Sequence, residues 1–189
     1  MRLEKLHQFL KIVGRMKVIK RAGWVSHAGI DRPESVADHS FRCAVLAMCI
    51  GDLMNINTEK LIRMLLLHDV QEAITGDYDL FAKKEMGINE VESRERVAIK
   101  DVLSLLPDEL KARYLSLWEE FKDGITTEAI LANDLDKIEA VMQALEYEEA
   151  GYDPRKLKAF WLEARRRIKT PIIQDLLKLL LRNEPEAWV

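Results

Sequence analysis

Apolar residues return at every third or fourth position along almost the whole chain, and no stretch alternates apolar with polar as a half-buried strand must. Such a sequence buries its apolar atoms by packing helix on helix. Leu3, Leu6, Phe9, Leu10, Val13 and Met16 form the first stripe, with Lys5, Lys11, Arg15 and Lys20 on the other side. This helix is predicted to end near Gly23. Residues 24–34, punctuated by Gly29 and Pro33, read as a long loop. Ser35 with Asp38 makes a variant capping box that opens a second helix through about Met54, with His39 in its first turn. Thr58 is predicted to cap a third helix that carries Leu61, Ile62, Leu65 and Leu66 into His68-Asp69 and ends near Gly76.

Asp77 to Ile88 reads as a second loop. Helices are predicted from Asn89 to just before Pro107, over 108–122, and from Thr126 or Thr127 through about Glu149. Asp153-Pro154 and Thr170-Pro171 each combine an N-cap with proline at the first helical position, and so start two more. A chain of 189 residues is long enough to bury one sizeable core, and 8 Gly and 5 Pro are the balance of a compact helical protein, so the expectation is one all-α domain, a helical bundle.

Charge and patterning exclude several classes. A net charge of −3 gives no general attraction for a phosphate backbone, so a nucleic-acid polymer is not the expected partner, although a small anion can still bind locally. No apolar run approaches the ~20 residues that span a bilayer. Arg2, Glu4, Lys5 and His7 interrupt the N-terminus as a signal peptide would not, which makes a cytoplasmic location the expectation. Cys43 and Cys49 lie six apart on one predicted helix, a rise of about 9 Å, and are expected to be reduced packing residues.

The chemistry gathers in a few places. His68 and Asp69 interrupt a strongly apolar helix with two metal-ligand types, and Glu72 follows His68 by one turn on the same face. His39 shares a helix face with Cys43, Leu46 and Ile50, and by itself reads as a core histidine rather than a ligand. The N-terminus of the second helix points amides toward whatever His39 binds, a possible anion contact. Arg165, Arg166 and Arg167 read as a solvated face, and the last helix, from Ile172 to Leu181, has more apolar residues than one stripe needs, for the core or for a dimer contact.

Taken together, Glu34-Ser35-Val36-Ala37-Asp38-His39-Ser40, His68-Asp69-x-x-Glu72, Thr75-Gly76-Asp77 and an aspartate within Asn133-Asp134-Leu135-Asp136-Lys137 resemble the HD-domain phosphohydrolase superfamily, and within it the 5'-deoxynucleotidase family. The resemblance runs from about Arg15 to Glu146-Tyr147-Glu148-Glu149. It implies an all-helical HD-domain fold, a homodimer, and hydrolysis of deoxynucleoside 5'-monophosphates. The implied metal ligands are His39, His68, Asp69 and Asp136, with Glu72 and Asp77 as catalytic residues and Arg21 near the substrate phosphate. Trp24 is the implied sugar or base contact, but Ala22-Gly23 separate it from Arg21, where bacterial members place tryptophan directly after the arginine. For the fourth ligand, helical periodicity favours Asp134, which lies nearer the stripe of Leu131, Leu135, Ile138, Met142 and Leu145. The resemblance favours Asp136.

Two imidazoles and two carboxylates suit one divalent transition ion, Mn, Co, Fe, Ni or Zn, with open positions for water and phosphate. The expected chemistry is direct attack by water, with Glu72 holding or deprotonating it and Asp77 orienting water or protonating the leaving 5'-oxygen. Fold and ligands do not choose among nucleoside monophosphates, cyclic nucleotides and polyphosphates. A non-catalytic nucleotide-binding module is the reading from another class.

Overall fold

A computed structural model describes residues 3–182, and Arg2, read above as interrupting a leader, lies outside them. Among the described residues there is no strand, and the α-helices are α1 (Leu3–Val13), α2 (Val36–Met54), α3 (Thr58–Leu67), α4 (Glu72–Thr75), α5 (Leu80–Met86), α6 (Ile88–Leu103), α7 (Asp108–Asp123), α8 (Thr127–Glu149), α9 (Pro154–Arg167) and α10 (Pro171–Leu180). They divide into two compact units, residues 3–41 with 66–119 and residues 42–65 with 120–182.

In the first unit Met16, Val36, Leu67, Val70, Ala73, Ile99, Val102, Leu103, Leu106 and Trp118 form one buried cluster. α1 lays Leu6, Phe9, Ile12 and Val13 on this cluster and leaves Leu3 and Leu10 exposed. It stops at Val13, well short of Gly23, and a 3-10 turn over Gly14–Lys17 follows. The backbone groups that would have continued the helix find other partners. Lys20 and Ser35 form an isolated antiparallel bridge, in which Arg21 N–H donates to Glu34 O at 3.1 Å and Val36 N–H to Ile19 O at 2.9 Å.

The supposed loop at 24–34 begins with a single π-helical turn, Trp24–Ala28, closed by Gly29 in the left-handed region at φ 69°. Trp24 and Ala28 are its only buried residues, too short a signal for periodicity to register. α2 starts as the capping box predicts: Asp38 N–H donates to Ser35 Oγ at 3.1 Å, and Ser35 N–H to Asp38 Oδ2 at 2.9 Å. Those bonds, with Val36 N–H on Ile19, occupy amides at the start of α2 that would otherwise be open to an anion.

α3 ends at Leu67, not near Gly76. The chain tightens there, with Val70 N–H donating to Leu67 O, Glu72 N–H to Asp69 O and Ala73 N–H to Val70 O, each three residues back, before one turn of α4. Gln71, 1% exposed, pins this stretch: its Oε1 accepts Trp118 Nε1–H at 2.9 Å. The second supposed loop contains α5, capped by Asp79, which accepts Ala82 N–H at 2.7 Å. Leu80 and Phe81 are largely exposed, so α5 has no apolar stripe to reveal it.

In the second unit α9 and α10 pack on α8. Leu131, Leu135, Ile138, Val141 and Ala144 of α8, Leu157, Trp161 and Ala164 of α9, and Ile173 and Leu177 of α10 are buried. Ile172 and Leu179 account for the apolar excess of α10, facing solvent at 37% and 55% exposure. Asn57, not Thr58, caps α3 by accepting Lys60 N–H at 3.0 Å. Thr126 caps α8 and Asp153 caps α9 as read from sequence. Arg42 of α2 donates to Glu139 Oε1 at 2.8 Å, to Gln143 Oε1 at 3.0 Å and to Glu146, three residues on one face of α8. Arg165, Arg166 and Arg167 are exposed, the last two paired with Glu163.

Candidate metal centre

Seven of the eight residues singled out from sequence, Arg21, Trp24, His39, His68, Asp69, Glu72 and Asp77, lie in the first unit. His39 projects from the first turn of α2, His68 and Asp69 from the tight turn that ends α3, and Glu72 opens α4. His39, His68, Asp69 and Glu72 are 0%, 2%, 9% and 5% exposed, a degree of burial such polar groups tolerate only with partners. The imidazole rings of His39 and His68 lie 5.4 Å apart between centroids. Asp69 Oδ2 stands 3.0 Å from His68 Nε2, 4.0 Å from His39 Nε2 and 3.2 Å from Arg21 Nη1. Ligand atoms each about 2.0–2.2 Å from a shared ion are separated by roughly these distances.

Charge follows from that geometry. Burial by itself would raise the Asp69 carboxyl. His68, by charge and hydrogen bond, followed by Arg21 and His39, instead holds it well below the ordinary carboxylate range. Glu72 moves the opposite way: burial first, then the charges of Asp69 and Asp77, push it well above its ordinary value. Its Oε2 is fully buried without a hydrogen-bond partner, as expected of an oxygen meant to meet a water or a cation.

Arg21 reaches this region because the Lys20–Ser35 bridge fixes its backbone, and its guanidinium lies on Asp69. Asp77 follows Gly76, whose φ of 73° favours glycine, and its Oδ2 accepts Ala22 N–H at 2.7 Å. Trp24 is 2% exposed, and its Nε1–H donates to Glu34 Oε1 at 2.8 Å. In the sequence Glu34 stands only as part of a motif, with no role of its own. Its carboxylate lies within 4.8 Å of a ring nitrogen of His39. The signal that could have found it was a glutamate five residues before a candidate ligand in a stretch without apolar periodicity.

Asp134 and Asp136 belong to the second unit, and their surroundings differ. Asp134, 2% exposed, accepts Lys169 N–H at 3.1 Å and Thr170 N–H at 2.6 Å, and so satisfies the amides at the start of α10. That explains why the helical wheel turned it toward the apolar stripe. Asp136, 8% exposed, has Lys137 Nζ 2.8 Å from Oδ2.

A helical fold carrying this His, His-Asp and Glu constellation defines a class, and the HD domain family model matches residues 13–178. The chain belongs to the HD-domain family. It is 37% identical over 187 residues to the 5'-deoxynucleotidase HDDC2 of Xenopus laevis, covering 97% of this chain and 90% of that one. It is also 37% identical over 175 residues to the human protein of that name, covering 93% and 84%. Among solved structures, a conserved hypothetical protein from Pyrococcus furiosus is similar at TM-score 0.77 and 31% identity, over 93% of this chain and 98% of that one. A predicted metal-dependent phosphohydrolase from Magnetospirillum magnetotacticum is similar at TM-score 0.73 and 25% identity, over 96% and 91%.

Proposed function

We propose that this protein is a metal-dependent phosphomonoesterase that releases phosphate from deoxynucleoside 5'-monophosphates. The observation that supports it most is the convergence of His39, His68 and Arg21 on the single carboxylate oxygen Asp69 Oδ2. The names of the curated relatives point to the substrate class.

The donor set fits a divalent transition ion, Mn, Co, Fe, Ni or Zn, held by His39, His68, Asp69 and Asp136. Asp136 is preferred to Asp134 because the Asp134 carboxylate already serves backbone amides. When bound, such an ion lowers the pKa of a coordinated water toward neutrality and draws charge from a phosphoryl oxygen. The rest of the chemistry belongs to the chain. Arg21 offers a guanidinium fork to the phosphate. Glu72, already biased toward holding a proton, accepts one from the attacking water, and Asp77, fixed by the Ala22 amide, orients water or protonates the leaving 5'-oxygen. Trp24 serves the nucleoside side through Glu34, which its indole holds.

We further assign the whole chain to one domain, a cytoplasmic location and a homodimer. Among the described residues no helix is long and apolar enough to cross a membrane. Phe41, Val45 and Met48, exposed along one face of α2, support self-association, which light scattering checks. The deciding assay strips the protein of metal, restores Mn, Co, Fe, Ni or Zn singly, and measures phosphate release from dAMP, dCMP, dGMP, TMP and dUMP beside ribonucleotides, cyclic nucleotides and polyphosphates. Release from the deoxynucleoside monophosphates that depends on restored metal is the expected result. No release from any monophosphate would return the chain to the binding-module reading.

A further inference from the structure

We infer that Glu34 is a sugar-binding residue at this same centre, its carboxylate accepting a hydrogen bond from the 3'-hydroxyl of the bound deoxynucleotide; the inference rests on the phosphomonoesterase reading above. Glu34 lies within 4.8 Å of a His39 ring nitrogen. A carboxylate beside a place that receives a phosphate repels it, unless the part of the substrate it faces is a hydrogen-bond donor.

The backbone makes this arrangement specific. Arg21 N–H donates to Glu34 O at 3.1 Å, so a cation and an anion stand on paired positions of the Lys20–Ser35 bridge. The Arg21 guanidinium turns to Asp69 Oδ2 at 3.2 Å, on the side of the proposed ligands. A deoxynucleoside 5'-monophosphate carries the complementary pair, a dianion at one end and, on the sugar, a single hydroxyl donor at the 3' position. With the phosphate on Arg21 and the ligands, that hydroxyl is the sugar group able to satisfy an acid.

Glu34 is held for the purpose. Trp24 Nε1–H donates to Oε1 at 2.8 Å from an indole that is 2% exposed, which fixes the carboxylate before substrate arrives. An ionised carboxylate has about four acceptor positions, of which one indole N–H takes one. Glu34 itself is only half-buried and can be reached. A neutral acceptor there would bind the hydroxyl less strongly, because hydrogen bonds to charged groups are the stronger class.

The test is a cycle that removes the charge from the protein and the hydroxyl from the substrate. kcat/KM is measured for dAMP and for 2',3'-dideoxyadenosine 5'-monophosphate with wild type and Glu34→Gln, along with bound metal. Glu34→Gln keeps an oxygen for Trp24. Wild type is expected to lose about tenfold to a hundredfold on the dideoxy substrate. Glu34→Gln is expected to show most of that loss on dAMP and at least about tenfold less additional loss on the dideoxy substrate, with metal retained. Equal losses on the two substrates, or loss of metal from the variant, would overturn the inference. Should Glu34→Gln not fold, wild type alone decides, since indifference to the missing hydroxyl refutes the assignment. Wild type inactive on every deoxynucleotide overturns the phosphomonoesterase reading, and this inference with it, whereas activity without hydroxyl dependence overturns this inference alone.

Discussion

Asp134 Oδ2 and Thr170 N–H meet at 2.6 Å, and Lys169 N–H donates to the same carboxylate, so a side chain in the middle of α8 caps the start of α10. This separates two aspartates that only Leu135 divides in sequence. Asp134→Ala is expected to cost about 1–3 kcal/mol, because it strands buried amides, while metal content stays near that of wild type. Asp136→Ala is expected to lose metal with a smaller change in melting temperature. Thermal denaturation and metal counting on both variants check the pair, and metal loss confined to Asp134→Ala would reverse the ligand assignment.

Glu72→Ala should lower kcat by about a hundredfold to ten-thousandfold, the usual worth of a positioned general base, with the metal still bound. The check is phosphate release alongside metal content. Turnover at the wild-type rate would remove Glu72 from the chemistry.

The raised Glu72 carboxyl also makes a claim about stability in the metal-free protein. Below its ordinary value of 4.5 the group is protonated folded and unfolded, and it contributes no penalty. As pH rises past that value the unfolded chain gives up the proton first, so stability falls until the folded-state value is passed. Metal-free Glu72→Gln should therefore melt above metal-free wild type at neutral pH, and the gap should close as pH drops below 4.5. Asp69, held low, acts in the opposite sense, adding stability above its ordinary value of 3.8 that is lost on acidification. Melting curves of both proteins across pH, in chelator, read the difference.

Arg42→Ala should destabilise the protein by about 3–5 kcal/mol, because it leaves the Glu139 carboxylate, 0% exposed, without its guanidinium. Arg42→Met paired with Glu139→Met should recover much of that loss. Urea denaturation of the single and double variants measures it. Equal losses in the two would show that the pair carries no coupling.

Much of this was legible in residue order, and the rest failed for identifiable reasons. The starts of α2, α8 and α9 follow from Ser35, Thr126 and Asp153-Pro154, and that of α10 from Pro171, because capping and proline chemistry is local, whereas the Thr170 side chain makes no cap and Asp134 takes that part. The premature end of α1 was not legible, since the competing partners of its backbone are residues 34 and 36, outside any helical window. The break at His68 stayed hidden because the apolar pattern continues into Val70 and Ala73, both core residues. α5 was hidden by its exposed Leu80 and Phe81. His39, His68, Asp69 and Glu72, proposed for the centre, each stand out chemically in the sequence, whereas Glu34 takes on meaning only beside Trp24, which donates to it.

The small bridge between Lys20 and Ser35 clamps both ends of the segment from Ala22 to Pro33, with Arg21 at one anchor and the start of α2 at the other. A loop whose ends are fixed this way can gain, lose or exchange residues at modest entropic cost while its anchors hold position. The segment between the anchors can thus be remodelled without moving Arg21 or the start of α2. Ala22 and Gly23, which separate Trp24 from Arg21, lie within that segment.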